Sequence, residues 1–475
     1  MEGFYVQEDT TEHFFTKTQA LLLTLLLLGL IGSFIIKLQT PPHVPLLLCI
    51  FLLIIIGFLK KANWKTMEQG IVDGVKPGLV PILIFLLIGT LIGVWMASGT
   101  VPTMMVYGFY VLSAHYFLPA ALVISAIVGT CIGSSLTTVA TIGVALMGMG
   151  TVMDINPAWV AGAVISGAFF GDKMSPLSDT TNLAPTLARI DLFTHIRHLL
   201  WTTVPALLIS LVLFLLIGNG SAVSDSAAQV EGLRQALEQH AIIHPAALIP
   251  PVLLFILAML RVPAVPTLIA GILSGIAIAF WLNPVITAGQ MATIIQNGFV
   301  SETGIKAVDS LLTRGGMQSM MFSVSLIFLA LSMGGLLYRL GIINRLMEMV
   351  HRFIATRGRL IASTALSSIG INVLLGEQYL SIVLPGNAFV QQYEKLGLER
   401  KNMARVLEDA GTVVNPLVPW SVCGVFLSEV LGVPTIEYLP FAFFCLLCPI
   451  LTIFLGFTGI GIAKKQENKQ SLPLE

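Results

Sequence analysis

Long apolar runs dominate the chain. Those at 21–36, 45–59, 80–96, 199–217 and 441–462 each approach or reach the roughly 20 residues that a helix needs to cross about 30 Å of hydrocarbon. The pattern predicts membrane spans at about 19–38, 44–59, 78–98, 199–218, 245–261, 264–282, 317–338 and 438–463. The first run reads as a permanent span rather than a secretory signal. Glu2, Glu8, Asp9 and Glu12 precede it against Lys17 alone, and no small-residue cleavage site follows.

The runs are interrupted in a way that repeats. Gly133-Ser134-Ser135 leads on to Ile142-Gly143, and Gly376-Glu377-Gln378 leads on to Pro385-Gly386 with the same spacing between glycines. Gly171-Asp172-Lys173-Met174-Ser175-Pro176-Leu177 is answered by Gly411-Thr412-Val413-Val414-Asn415-Pro416-Leu417. Upstream, Gln69-Gly70-Ile71-Val72 answers Gln296-Asn297-Gly298-Phe299-Val300, so the register extends over about 67–185 and 294–430. Proline removes a helix hydrogen bond and clashes with the preceding turn. Two further spans are therefore expected to break at midlength, 158–188 around Gly171–Pro176 and 402–431 around Gly411–Pro416.

Charge then orients the halves, because cytoplasmic loops are enriched in Lys and Arg. Lys60, Lys61, Lys65 and Lys76 follow the second span, Arg189 and Arg197 follow the first half of the repeat, and 99–119 and 151–158 hold no basic residue. In the second half the equivalent bare positions carry Arg339, Arg345, Arg352, Arg357, Arg359, Lys395, Arg400, Lys401 and Arg405. Lys306 and Arg314 fit less well, since they fall in a segment expected outside. The two halves are thus inverted, as in many secondary transporters. Consistency makes 119–150 and 359–393 re-entrant hairpins, with tips near Gly133-Ser134-Ser135 and Gly376-Glu377. The expected architecture is an all-α polytopic membrane protein built from two inverted repeats, each with a re-entrant hairpin and a broken helix. It has a cytoplasmic N-terminus (1–18), a first repeat (19–218), an external linker (219–244), an inverted second repeat (245–463) and a cytoplasmic tail (464–475). The polar stretch 221–240, with Glu231, Arg234 and Glu238, reads as a solvated amphipathic helix without chemistry.

Composition agrees. Charged residues make up 11% of the chain and apolar residues 56%, against about 25% and 45–50% in soluble domains. The natural surroundings are membrane lipid. A formal net charge of zero gives no electrostatic case for nucleic acid. There is no Gly-Lys-Ser/Thr for a nucleotide-driven pump. No histidine lies near the midplane segments to serve an intramembrane protease, so no enzyme and no cofactor is expected. Cys445 and Cys448 lack partners for a metal or redox site and read as helix packing.

Charges inside a span cost about 2.5–3.5 kcal/mol each at a helix centre, so the few present are functional candidates. The segment from Asp172 to Asn182 is the richest. Asp172 and Asp179 bring negative charge, and Ser175, Ser178, Thr180, Thr181 and Asn182 bring neutral oxygens. A hard monovalent cation needs such an oxygen cage. The candidate set is Asp172, Lys173, Ser175, Ser178, Asp179, Thr180, Asn182, Ser134, Ser135, Thr137, Glu377, Gln378, Asp409 and Asn415, with Asp172, Asp179 and Glu377 as Na⁺ ligands. Plainer readings stand beside these. Asp172 and Lys173 make a self-neutralising pair, Asp179 caps the second half-helix, and the tip Ser134–Thr138 permits close packing. Glu408 and Asp409 lie near the Arg405 end and are partly solvated; His195 and His198 are satisfied at the cytoplasmic interface or sense pH. Asp172, Asp179 and Glu377 are expected to be required for transport, and Glu231 and Glu238 dispensable.

The long motif Gly171-Asp172-Lys173-Met174-Ser175-Pro176-Leu177-Ser178-Asp179-Thr180-Thr181-Asn182-Leu183-Ala184-Pro185 resembles the NhaC family of bacterial sodium–proton antiporters. The resemblance extends over Gly133-Ser134-Ser135-Leu136-Thr137-Thr138, Gly376-Glu377-Gln378 and 408–416, most of the length. It implies the ion-transporter type of fold, with paired hairpins, and exchange of cytoplasmic Na⁺ for external H⁺ at the bacterial inner membrane. Similar members exchange malate and protons for lactate and sodium, and the block 194–205 resembles those relatives too. A carboxylate substrate would want a cation such as Lys173. The sequence leaves the oligomeric state open, a homodimer included.

Overall fold

A computed structural model of the protein describes residues 14–111, 114–219, 226–350 and 354–465. Most of the expected cytoplasmic N-terminus and tail, at 1–13 and 466–475, lies outside the described residues. Among the described residues regular structure is helical throughout, apart from two isolated bridges, Phe299–Arg314 and Leu398–Lys464. Seven of these helices are long and apolar enough to cross a membrane, and up to ten crossings result if each sharply bent pair is one span. Large apolar side chains such as Leu22, Leu59, Leu216 and Ile450 stay exposed along them, as lipid-facing surface should. The chain is a helical, multi-pass membrane protein.

The expected spans fall on helices at Lys17–Gly32, His43–Leu59, Leu79–Ala97, Leu192–Asn219, Ala264–Leu282 and Met321–Arg339. Two differ. The span expected at 245–261 opens with a tight 3₁₀ turn, Pro245–Leu248, and only Ile249–Met259 is α-helical. Pro245, Pro250 and Pro251 withhold the amides that an earlier start would need. The span expected at 438–463 is the helix Phe443–Thr458, set at 58° to the short segment before it and closed by Gly459 at φ 85°.

Several stretches that the sequence reading leaves as loops are helical. Thr100–Val111 lies within the loop expected at 99–119, where Val101, Met105 and Val106 are buried. The expected linker contains a helix, Ser226–His240, that is not simply solvated. Leu237 is fully buried and the helix packs on Thr100–Val111 and Val144–Val152. Its polar face is self-paired, Arg234 reaching Glu231 at 2.5 Å, Glu238 at 2.6 Å and the Tyr110 hydroxyl. Residues 220–225 lie outside the described residues.

Two short helices lock the molecule together. Trp64–Val75 packs on Met321–Arg339, and Ala288–Asn297 packs on Leu79–Ala97. Both contacts are glycine-lined. A Cβ on Gly74 would sit 2.5 Å from the Leu331 carbonyl oxygen and 2.7 Å from Gly335 Cα. At the other contact a Cβ on Gly93 would sit 3.1 Å from the Ile294 carbonyl oxygen. Small residues permit such approach where lipid offers helices no hydrophobic drive to associate.

Candidate functional site

Four interrupted helical segments supply the site. The first long helix, Pro157–Met174, unwinds over 175–178 and resumes as Asp179–Ala188. The second runs as Arg400–Leu407, widens into a π turn at Glu408–Thr412, adds a 3₁₀ turn at Asn415–Leu417, unwinds over 418–421 and resumes as Val422–Leu431, bent by 45°. Helix thus persists through Gly171 in the first case. In the second, α-helix is already lost across the expected Gly411–Pro416 and full unwinding follows at 418–421, because Pro416 sits in the first turn of a new 3₁₀ turn, where its missing amide costs nothing. Serines cap both resumed helices, Ser178 accepting from Thr181 N–H at 3.3 Å and Ser421 from Gly424 N–H at 2.9 Å. Asp179 is therefore not the cap. It occupies the first turn, where the helix dipole favours an anion, and Tyr379 lies beside it.

The other two interruptions fall at Gly133–Ser134 and Gly376–Glu377. Phe117–Ile132 ends on Gly133 at φ 71° and Arg357–Leu375 on Gly376 at φ 68°, a backbone state that favours glycine. Ser134 then caps Ser135–Thr138, accepting from Thr137 N–H at 3.3 Å. Glu377 caps Gln378–Lys395, accepting from Leu380 N–H at 2.8 Å.

The centre of the site joins the two broken helices. Lys173 donates to Asp409 Oδ1, an ion pair whose side chains are both fully buried. The sequence expectation of a local Asp172–Lys173 pair is thus corrected: successive helix positions point apart, and the ammonium takes a partner 236 residues away. Thr202 donates to the same Oδ1 at 3.0 Å, Cys448 Sγ lies 3.6 Å from the ammonium, and the Phe444 ring lies beneath it at 5.7 Å. Asp172 instead accepts from the Ser135 hydroxyl at 2.8 Å. Thr181 Oγ1 lies 3.3 Å from the carbonyl oxygens of Asp172 and Lys173 and 3.3 Å from Glu408 Oε1. Glu408 and Asp409 are fully buried rather than partly solvated, since Arg405, expected to mark the wet end, is itself fully buried. Glu408 Oε2 and Asp409 Oδ2 have no hydrogen-bond partner among the described residues.

The structure brings together Ser135, Asp172, Lys173 and Asp409 from the sequence set, and adds Thr181, Thr202, Glu408 and Cys448. Ser175 and Ser178 are buried in the unwound segment, Ser175 Oγ accepting from Leu177 N–H at 3.2 Å and Ser178 lying 3.1 Å from Thr180 Oγ1. Other candidates spend their polar atoms on local structure. Asn182 donates to the carbonyls of Pro176 at 2.9 Å and Ser178 at 2.7 Å. Thr137 donates to Ser134 Oγ at 3.1 Å, and Gln378 to Thr412 O at 3.0 Å. Asn415 donates to Asn372 Oδ1 at 2.9 Å and accepts from Cys423 N–H at 2.9 Å. Among the described residues no three carboxylate, imidazole or thiol side chains gather as a metal-binding group.

Thr202 comes from the block 194–205, whose role the sequence left unassigned, and Asn372 is an isolated amide in an apolar run. His195 and His198 are buried rather than interfacial. His198 Nε2 meets Asn402 Oδ1 at 3.2 Å, while neither ring nitrogen of His195 has a partner among the described residues. Asn415→Ala is expected to destabilise the protein by about 2–4 kcal/mol, because it orphans the buried Cys423 amide and the Asn372 side chain together. A thermal melt of the purified variant reads this; a loss below about 0.5 kcal/mol would show that the bridge is dispensable.

A family model for the Na⁺/H⁺ antiporter family matches residues 167–460. The chain is 49% identical over 447 residues to the Na⁺/H⁺ antiporter NhaC of Alkalihalophilus pseudofirmus, covering 93% of this chain and 96% of that one. It is 46% identical to the Na⁺/H⁺ antiporter NhaC of Bacillus subtilis, covering 92% and 96%. It is 33% identical to the malate-2H⁺/Na⁺-lactate antiporter of Bacillus subtilis, covering 91% and 92%. With matches of this length across the broken helices and their buried ion pair, the chain belongs to the Na⁺/H⁺ antiporter family.

Proposed function

We propose that the protein exchanges cytoplasmic Na⁺ for external H⁺ across a bacterial inner membrane by alternating access, with both chain termini on the cytoplasmic side. The observation that carries this reading is the burial of three carboxylates, Asp172, Glu408 and Asp409, at the two broken helices, with Lys173 and Arg405 as the buried cations beside them. Three carboxylates against two cations leave negative charge in a medium that tolerates little of it. A proton or a sodium ion can make up the difference, and the two compete for the same carboxylates. The oxygens of Ser135, Thr181 and the unwound carbonyls suit a hard cation. The Lys173–Asp409 pair ties one broken helix to the other, so a cation that draws Asp409 away loosens that tie.

Two inverted repeats, each with a re-entrant hairpin and a broken helix, give alternating access its symmetry. Matched contacts support the repeat. Gly129 approaches the Ala168 and Gly171 backbone, and Asn372, its counterpart, donates to Gly411 O at 2.5 Å. Ser135 donates to Asp172, and Gln378 donates to the main chain of Thr412. The second hairpin packs on Asp179–Ala188, while the end of the first packs on Val422–Leu431.

A relative named for malate and lactate at 33% identity keeps organic-acid exchange as the second reading. Lys173, the cation expected to receive a carboxylate, is engaged by Asp409, which favours simple Na⁺/H⁺ exchange.

The test is purified protein in liposomes with an internal pH-sensitive dye, pulsed with NaCl and separately with malate and lactate. Proton flux on Na⁺ alone is expected, lowered in Asp179→Asn and Glu377→Gln and unchanged in Glu231→Gln and Glu238→Gln. Silence with Na⁺ and flux only with malate and lactate on opposite sides would replace this reading with the second. Cysteine labelling at Ser134 and Gln378 from each side tests the re-entrant arrangement.

A further inference from the structure

One buried cation in the molecule has no evident task. Arg405 is fully buried, and its Nη1 donates to Gly461 O at 2.9 Å. Its Nε and Nη2, the adjacent donors that together grip a carboxylate side-on, have no hydrogen-bond partner among the described residues. Four residues further on, Asp409 presents the complementary deficit. Oδ1 receives Lys173 and Thr202, while Oδ2 has no partner among the described residues. Residues four apart on a helix are neighbours on its surface. Yet Arg405 and Asp409 form no ion pair in this state, where the ion pair of Asp409 is with Lys173. The turn between them is the point at which the α-helix Arg400–Leu407 passes into the π turn Glu408–Thr412, whose wider winding changes the direction of Asp409 relative to Arg405.

We infer that Arg405 is the standby partner of Asp409: the carboxylate passes from Lys173 on the first broken helix to Arg405 on its own helix when the two broken helices part. This rests on the alternating-access reading above. A buried carboxylate stripped of its only cation is strongly destabilised. A second cation one turn away removes that penalty from the separated state. Arg405 acts through Asp409 and is a positioning residue. The unpartnered fork of Arg405 and the unpartnered Oδ2 of Asp409 mark the vacant half of a two-position switch. His195 and His198 on Leu192–Asn219, Tyr393 on Gln378–Lys395 and Glu408 on the π turn surround this exchange. Among them, His198 already has Asn402 and Tyr393 already has Thr364 as hydrogen-bond partners.

A melting-temperature cycle on the full-length purified protein tests the pairing without any reference to transport. In Lys173→Met, Asp409 has only Arg405 to turn to. Adding Arg405→Gln should then lower the melting temperature by about 5 °C or more beyond what Arg405→Gln costs in the wild-type background. Arg405→Lys, which keeps the charge without the two-donor grip, should recover part of that loss, and Asp409→Asn should recover it by removing the stranded charge. Additive losses would overturn the proposal. So would a Lys173→Met protein that cannot be purified folded unless Asp409→Asn is added, since Arg405 would then have failed to take over. The cycle is followed by Na⁺-driven proton flux in liposomes. Arg405→Gln is expected to slow it at least about tenfold, and Arg405→Lys, which keeps the charge without the two-donor grip, to slow it by less than Arg405→Gln. Unchanged flux in Arg405→Gln would make the pairing purely structural and overturn the exchange. A wild-type protein with no Na⁺ flux would sink the transport reading while leaving the melting cycle interpretable.

Discussion

Asp172→Asn is expected to lower Na⁺-driven proton flux by on the order of 100-fold while leaving the protein folded. The substitution keeps the shape of the side chain and an oxygen to accept the Ser135 hydroxyl, now at 2.8 Å, but removes the charge. Asp172 is buried at the edge of the first unwound segment, and its neighbours there are hydroxyls rather than cations. An interaction with a charged group in such surroundings is worth about 1.5–3 kcal/mol, and about 1.4 kcal/mol is a factor of ten. Flux in liposomes and a melting curve on the same preparation separate lost transport from lost fold. A flux within a factor of three of wild type would remove Asp172 from the transport cycle.

Gly171→Ala should act one residue away by a different route. A Cβ at Gly171 would stand 2.5 Å from the Gly129 carbonyl carbon and 2.6 Å from its Cα, where the broken helix presses against Phe117–Ile132. Backbone cannot rotate aside as a side chain does, so the two helices must separate. Overpacking of this kind costs about 3 kcal/mol, and the displacement carries Asp172 away from Ser135. The expected result is a melting temperature several degrees lower together with a large loss of flux. Gly232→Ala is the control. Gly232 lies on the helix Ser226–His240 with nothing within 4 Å of an added Cβ, so the helix gains propensity and stability stays level or rises slightly. Equal melting temperatures for the two variants would show that the contact at Gly171 is not tight in solution.

The membrane class and most spans were legible because burial in lipid needs nothing beyond a run of apolar residues. The helical interruptions at Gly133 and Gly376 were legible for a related reason, since small and polar residues break otherwise apolar runs there. The pairing of charges was not. Lys173 lies next to Asp172 in sequence, yet its acceptor is Asp409, and no local pattern announces a partner on a different helix. Glu408 and Asp409 were misjudged as partly solvated by their closeness to Arg405, on the premise that a guanidinium seeks water; here it is buried against Gly461. Short helices such as Trp64–Val75 and Ala288–Asn297 escaped because twelve and ten residues of mixed polarity resemble loops. Their apolar stripes gain meaning only from the glycines they meet.

Those same glycine contacts bear on how the chain is built. Trp64–Val75 docks on Met321–Arg339, a helix synthesised more than two hundred residues later, and Leu79–Ala97 must wait in the same way for Ala288–Asn297. The early helices therefore enter the bilayer with their glycine seams open to lipid. Order of synthesis and order of assembly diverge, and the first part of the chain reaches its final packing only after the chain as far as Arg339 has left the ribosome.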